Sequence, residues 1–331
     1  MLIIHILLLI LGFILLVKGA DYLIEGSAAT ARKYHISEIV IGLTLVSFGT
    51  SFPELIVNII AAMKQENDLV LGNVIGSNIF NTAAILGVAG LFAPMAVHWR
   101  TFRYEIPFSM FITFLLLTMG IGWLGNGILG TLEAVILLML FAAYLYYIYY
   151  FMKKDRQILI ELAETMEVPP FSGLRTVLYI IGGSVALVWG GKLVVDNAVV
   201  LAESWGLSRK LISITVISAG TSLPELATSV MAAIRRKADL AVGNIVGSNI
   251  FNILLVLGSS AAIHPITYSS SFNFDILYFL GILLVLFFML YAGKKKVLSK
   301  KESLVLLLLF IFYMIWLFIR EGVLLPGILA T

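Results

Sequence analysis

The chain has 331 residues, of which 60% are hydrophobic and 12% charged, with no cysteine and a formal net charge of +3. Its mean hydropathy is +1.04. So little charge cannot cover a soluble domain of this size, the lack of cysteine excludes disulfides and thiolate metal sites, and the small net charge gives no reason to expect nucleic acid as a partner.

Apolar runs long enough to cross a bilayer recur along the whole sequence. Ten spans are expected, at 2–24, 36–63, 69–93, 104–124, 128–151, 173–200, 208–234, 240–263, 273–292 and 302–320. Several exceed the roughly 20 residues a perpendicular helix needs, so tilts or breaks are expected. The opening Met-Leu-Ile-Ile-His carries no basic segment, so the first run reads as a retained span rather than a cleaved signal. Residues 152–171, with Glu161, Glu164, Glu167 and Pro169-Pro170, read as a short, charged, partly helical linker. Five spans lie in 1–151 before it and five in 172–331 after it. The expected fold is an all-α polytopic membrane protein.

The basic residues orient it. With the N-terminus outside the cell, sixteen lysines and arginines fall in cytoplasmic loops and four in outer loops. This places the 152–171 linker in the cytoplasm and the chain in the cell membrane. The lipid bilayer is then its surroundings.

The chain also repeats itself. Gly-Thr-Ser-Phe-Pro-Glu at 49–54 returns as Gly-Thr-Ser-Leu-Pro-Glu at 220–225, an offset of 171. The same 171 carries Gly-Asn-Val-Ile-Gly-Ser-Asn-Ile-Phe-Asn at 72–81 onto Gly-Asn-Ile-Val-Gly-Ser-Asn-Ile-Phe-Asn at 243–252. It also aligns Val17, Gly19, Glu25 and Ala31 with Val188, Gly190, Asp196 and Ala202. Five is odd, so the second half must enter the membrane from the opposite side. Inverted repeats suit a transporter, because exchanging the conformations of the two halves turns an outward-open form into an inward-open one.

On a helix advancing about 100° per residue, Ser47, Thr50, Ser51 and Glu54 share one face, which Asn58 continues. Pro53 lacks the N–H that would bond the Gly49 carbonyl, so a kink is expected there. Irregular backbone survives at membrane depth only when it is buried in protein or lines a cavity. Ser218, Thr221, Ser222, Pro224 and Glu225 reproduce this pattern. In the second word Ser77 and Asn81 share a face, and Gly72 and Gly76 form a small-xxx-small pattern that admits a neighbouring helix. Ser248, Asn252, Gly243 and Gly247 repeat it. Together the halves supply two carboxylates, two amides, several hydroxyls and freed carbonyls, all hard oxygen donors. Such a set suits Ca²⁺, Na⁺ or Mg²⁺ and argues against zinc or copper. Two carboxylates neutralise one Ca²⁺, whose flexible shell of about 6–8 oxygens such a site can supply. Asn78 and Asn249 read as helix–helix glue. His5, His35, His98 and His264 read as interfacial, and Lys18 and Lys192 as snorkelling residues. The run Tyr144, Tyr146, Tyr147, Tyr149 and Tyr150 reads as an aromatic belt at the inner interface.

These paired words resemble the α-repeats of the cation/Ca²⁺ exchanger superfamily, most closely its prokaryotic Na⁺/Ca²⁺ exchangers, and the resemblance covers the whole chain. It implies a Na⁺/Ca²⁺ antiporter working by alternating access, with ions bound at mid-membrane between the repeats. It assigns ion ligands to Glu54 and Glu225, to the hydroxyls of Thr50, Ser51, Ser77, Thr221, Ser222 and Ser248, to the backbone carbonyls of Ser47 and Ser218, and to the side chains of Asn81 and Asn252. It implies that the first and sixth spans slide over a core holding the ions. Some archaeal relatives carry Asp where Asn252 stands, and potassium-dependent members carry acid where this chain has Asn. Cation/proton exchangers usually have Gly-Asn-x-x-Glu in place of Gly-Thr-Ser-x-Pro-Glu, a contrast that favours sodium as the coupling ion. No cofactor is implied beyond the transported ions, and no obligate protein partner. The alternatives are an H⁺/Ca²⁺ antiporter and a Ca²⁺ channel. An intramembrane enzyme would need a nucleophile and base, and no His or Cys lies near the polar words.

Overall fold

The structure, a computed structural model, describes residues 2–124, 126–163, 173–204, 218–293 and 296–320. Among these the chain is almost entirely helical. Helix α1 spans Leu2–Tyr34, α3 Asn67–Phe92, α4 Thr101–Gly120, α5 Thr131–Ala163, α6 Gly173–Ser204, α8 Ala238–Ile263, α9 Asn273–Ala292 and α10 Lys300–Arg320. These eight are long and apolar enough to cross a membrane. A ninth candidate, α2, consists of Glu38–Thr50 and Phe52–Met63 bent by 47°. The apolar helix Leu223–Ile234, with the turn Ser218–Gly220 ahead of it, forms α7. The expected start of that span, 208–217, lies outside the described residues. Helix α5 runs on through Ala163, so residues 152–163 of the expected linker are helical.

Two helices make the centre. Helix α8 is almost wholly buried and α3 largely so, whereas α1, α5 and α10 expose most of their apolar length. Ile3, Leu7 and Ile14 of α1 and Leu174, Leu178 and Ile181 of α6 all face outward. A soluble fold would bury such residues; in a membrane helix they meet lipid.

Helices α1 and α6 pack backbone to backbone. A Cβ on Gly12 would lie 2.9 Å from the Gly190 carbonyl oxygen, and one on Gly19 2.8 Å from that of Gly183. The rising numbers on α1 meet falling numbers on α6, so the two run antiparallel. Gly243 and Gly247 of α8 similarly lie against α2, where a Cβ on Gly243 would come within 2.9 Å of Ile39 O. Among the described residues, a Cβ on Gly72 would meet the Phe272 ring, at 3.6 Å, and one on Gly76 would meet nothing within 4 Å. The repeat would oppose them with the segment before Ser218, which is outside the described residues.

The connections join the halves. Strand β1 (Met95–Ala96) pairs antiparallel with β4 (Val297–Leu298), and β2 (Ile128–Leu129) with β3 (Ile266–Thr267). Thus the α3–α4 connection meets the α9–α10 connection, and the α8–α9 connection meets the α4–α5 connection.

The tyrosine run expected as one belt divides in two. Tyr146, Tyr149 and Tyr150 are exposed, but Tyr144 is buried and Tyr147 bonds Glu105 of α4 at 2.7 Å. Helical spacing explains the split, since 144, 147 and 151 fall on one face and that face turns toward α4.

Candidate functional site

Each Gly-Thr-Ser-x-Pro-Glu word folds as a helix break. In α2 the helix stops at Thr50, Ser51 takes φ −84° and ψ 5°, and a new helix begins at Phe52. Pro53 sits in the first turn of that helix, where its missing N–H has no intrahelical partner to lose. In α7 Ser222 takes φ −90° and ψ 8°, and the helix restarts at Leu223 with Pro224 in its first turn. The expected kink is therefore a true interruption, and each glutamate sits one turn inside a helix N-terminus. Its positive end favours a carboxylate.

The break brings the two words face to face. Glu54 is 1% exposed and Glu225 0%. Ser51 Oγ donates to Glu225 Oε1 at 2.9 Å, and Ser222 Oγ donates to Glu54 Oε1 at 3.3 Å. Each carboxylate is thus held by the hydroxyl of the opposite half. The second word completes each pocket. Ser248 Oγ lies 3.5 Å from Glu225 Oε1, and Ser222 Oγ lies 3.1 Å from Ser77 Oγ. Among the described residues Glu54 Oε2 and Glu225 Oε2 have no hydrogen-bond partner.

Thr50 and Thr221 follow the same crossed rule. Thr50 Oγ1 donates to Asn244 Oδ1 at 3.0 Å, and Thr221 Oγ1 to Asn73 Oδ1 at 3.3 Å. Ser47 bridges halves as well: its hydroxyl lies 2.7 Å from Gly42 O and 3.0 Å from Asn244 O, sharing its one proton between them, while its carbonyl accepts the Ser51 N–H at 2.9 Å. The backbone of Ser218 opens the turn Ser218–Gly220; its side chain is outside the described residues.

Asn81 and Asn252 each begin or join a π-helical turn, at Phe80–Ile85 and Asn252–Leu257. Such turns widen the helix and re-aim side chains. Asn81 is 0% exposed, and among the described residues neither of its amide atoms has a partner. Asn252 Nδ2 donates to Asn78 Oδ1 at 3.0 Å and its Oδ1 is unpartnered. Asn78 Nδ2 in turn donates to the Asn249 carbonyl at 3.2 Å, and Asn249 Nδ2 to Thr82 Oγ1 at 2.7 Å. These two asparagines link the halves, as glue should.

Asn73 and Asn244 were missed by reasoning from the sequence, although both stand in the repeated words. Their partners lie on other helices, and spacing along one helix cannot reveal them. The π turns had no sequence signal at all.

Among the described residues no cluster of three or more His, Cys, Asp or Glu side chains forms. The site is two carboxylates amid hydroxyls and amides. Buried polar atoms are ordinarily paired, so unpartnered carboxylate and amide oxygens converging from two halves form a set that can bind a hard cation.

Known proteins share this architecture. The inner membrane protein YrbG of Escherichia coli is 37% identical over 262 residues, covering 78% of this chain and 79% of that protein. The sodium/calcium exchanger MaX1 of Methanosarcina acetivorans is 30% identical over 302 residues, 81% of this chain and 85% of the relative. A solved structure of the sodium-calcium exchanger NCX_Mj, soaked with zero Na⁺ and Ca²⁺, superposes with a TM-score of 0.82 at 27% identity, over 96% of this chain and 100% of that one. The family described as sodium/calcium exchanger protein matches residues 4–150 and 175–319, and the chain belongs to that family.

Proposed function

We propose that this chain is a Na⁺/Ca²⁺ antiporter that binds its ions between two inverted five-helix repeats, 1–151 and 172–331, of ten spans in all. The ligands are Glu54 and Glu225 with the hydroxyls, amides and carbonyls grouped around them. The observation that carries this reading is the crossed pair of contacts, Ser51 to Glu225 and Ser222 to Glu54. The antiparallel packing of α1 on α6, which are repeat equivalents, supports the inversion. The names of MaX1 and NCX_Mj support the choice of ions.

The mechanism follows from charge. Without ions the site holds two carboxylates at membrane depth, and unpaired buried charge there costs several kcal/mol by order of magnitude, roughly 2–4 each. Movement of the halves that seals such a site from water is therefore disfavoured. Ca²⁺ neutralises both carboxylates, and so do Na⁺ ions bound in number. Only the loaded forms can occlude and reopen on the far side, which makes transport an exchange and not a leak. Because each carboxylate is held from the opposite half, relative motion of the halves rebuilds the site each time. Helices α1 and α6, locked together by their glycines, slide as one body across it. The N-terminus faces outward and the 152–171 linker the cytoplasm.

Equilibrium binding of ⁴⁵Ca²⁺ to the purified protein tests the site. The proposal predicts competitive displacement by Na⁺ and no saturable binding by Glu54→Gln/Glu225→Gln; Ca²⁺ binding retained by that double variant would refute it.

A further inference from the structure

A second buried carboxylate lies outside the central site. Glu105 closes the π turn Thr101–Glu105 that opens α4, and it is 3% exposed. Its Oε1 accepts from the Tyr147 hydroxyl of α5 at 2.7 Å, but among the described residues its Oε2 has no partner. Three buried hydroxyls of α4 and α5 likewise have none among the described residues: Thr101 Oγ1, Ser109 Oγ and Tyr144 Oη. Thr101 and Ser109 stand one turn to either side of Glu105 on the same face of α4. Tyr144 stands one turn before Tyr147 on α5, its ring centre 6.4 Å from that of Tyr147, whose hydroxyl holds the carboxylate.

The second half contains the same arrangement with one difference. Asp275, near the start of α9, lies 170 residues after Glu105 and is 2% exposed. Its Oδ1 accepts from the Tyr313 hydroxyl of α10 at 2.7 Å, as Glu105 does from Tyr147, and its Oδ2 accepts from Arg320 Nη1 at 2.8 Å. Arg320 supplies the positive charge that a buried carboxylate requires. Among the described residues no cation pairs with Glu105: the Arg100 guanidinium lies over the Phe151 ring, 4.5 Å from its centre. Asp275 has Arg320 as its counter-charge, whereas the chain around Glu105 carries unpartnered hydroxyls one turn to either side on α4 and on α5.

We propose that Glu105, with the hydroxyls of Thr101, Ser109 and Tyr144, binds a monovalent alkali cation, Na⁺, at a site separate from the exchange site. One carboxylate balances one positive charge, whereas a divalent ion would leave a buried surplus. All four donors are hard oxygens, which suit an alkali ion and not a soft metal. The ion takes the place that Arg320 occupies beside Asp275.

The test is ²²Na⁺ binding by purified protein. Glu54→Gln/Glu225→Gln is compared with the same variant carrying Glu105→Gln, each required to remain monodisperse in gel filtration. The proposal predicts one Na⁺ fewer per chain when Glu105 is replaced; equal stoichiometry overturns it, including the case in which Glu105 holds only a proton. Should Glu105→Gln not fold, Thr101→Val/Ser109→Ala in the same background keeps the charge and removes two ligands. It should lower the affinity of one Na⁺ by about tenfold or more, and unchanged affinity is equally contradictory.

Discussion

The hydroxyl of Ser51 donates to Glu225 across the boundary between the halves at 2.9 Å, and 171 residues later Ser222 returns the contact to Glu54 at 3.3 Å. Neither half can therefore build a cation site alone. Replacing Glu54 or Glu225 by Gln keeps an oxygen to accept the crossed hydrogen bond but removes a charge. Ca²⁺ exchange should fall by the cost of losing one partner of a buried charge pair, about 2–5 kcal/mol, or from roughly thirtyfold to several thousandfold. The folded yield should hold. ⁴⁵Ca²⁺ uptake by proteoliposomes measures the first and gel filtration the second; wild-type uptake by either variant is incompatible with the site.

The hydroxyl contacts should be energetically coupled to the carboxylates they cross to. Ser51→Ala removes a hydrogen bond to a charged group, about 1.5–3 kcal/mol, and should weaken Ca²⁺ binding by roughly 10- to 100-fold. In a double-mutant cycle, Ser51→Ala should cost only about 0.5–1.5 kcal/mol once Glu225 is Gln, the worth of a neutral hydrogen bond, and should keep nearly its full effect once Glu54 is Gln. Equal coupling to both carboxylates would contradict the crossed geometry.

Helices α1 and α6 touch through their backbones, so bulk is not tolerated at the contact. A Cβ on Gly183 would lie 2.7 Å from Leu23 N and 2.8 Å from Gly19 O, and neither backbone atom can step aside as a side chain could. Gly183→Val should cost about 1–3 kcal/mol or more by overpacking. A lowered thermal midpoint in a fluorescence-detected gel-filtration assay is the expected reading. Gly182→Val is the control, because among the described residues a Cβ there meets nothing within 4 Å.

The proposed orientation can be read chemically, since the chain has no native cysteine. Asn126, just before α5, and Lys153, in its C-terminal half, are both exposed. Asn126→Cys should react with an impermeant maleimide added outside intact cells. Lys153→Cys should react only after the cells are opened. The reverse pattern would place the N-terminus in the cytoplasm.

What could be read from the sequence was what is local along a helix. The repeated words located both glutamates, their hydroxyl neighbours and the breaks at Pro53 and Pro224, because a face and a proline are properties of a few consecutive residues. What could not be read was contact at long range. Thr50 and Asn244 are 194 positions apart, and nothing in either neighbourhood specifies the other. The tyrosine run went wrong for a related reason. Composition assigns Tyr144–Tyr150 to a membrane interface, but the helical period sends Tyr144 and Tyr147 inward to Glu105, an acid hidden at the start of an ordinary apolar span. The π turns at Asn81 and Asn252 reflect the packing around them and left no mark in the residues themselves.

The central claim is that crossed carboxylates make a Na⁺-coupled Ca²⁺ exchange site, and ⁴⁵Ca²⁺ flux into proteoliposomes under imposed Na⁺, K⁺ or pH gradients tests it most directly. An outward Na⁺ gradient should drive uptake, and K⁺ or pH gradients should not. If two Na⁺ exchange for each Ca²⁺, the exchange is indifferent to voltage, whereas with three each cycle moves one net charge. A valinomycin-clamped potential of ~100 mV then contributes ~2.3 kcal/mol, enough to shift the Ca²⁺ gradient roughly fiftyfold. Uptake driven by pH and indifferent to Na⁺ would make the protein a proton-coupled exchanger, and Ca²⁺ flow down its own gradient with no counter-ion would make it a channel; either result contradicts the account.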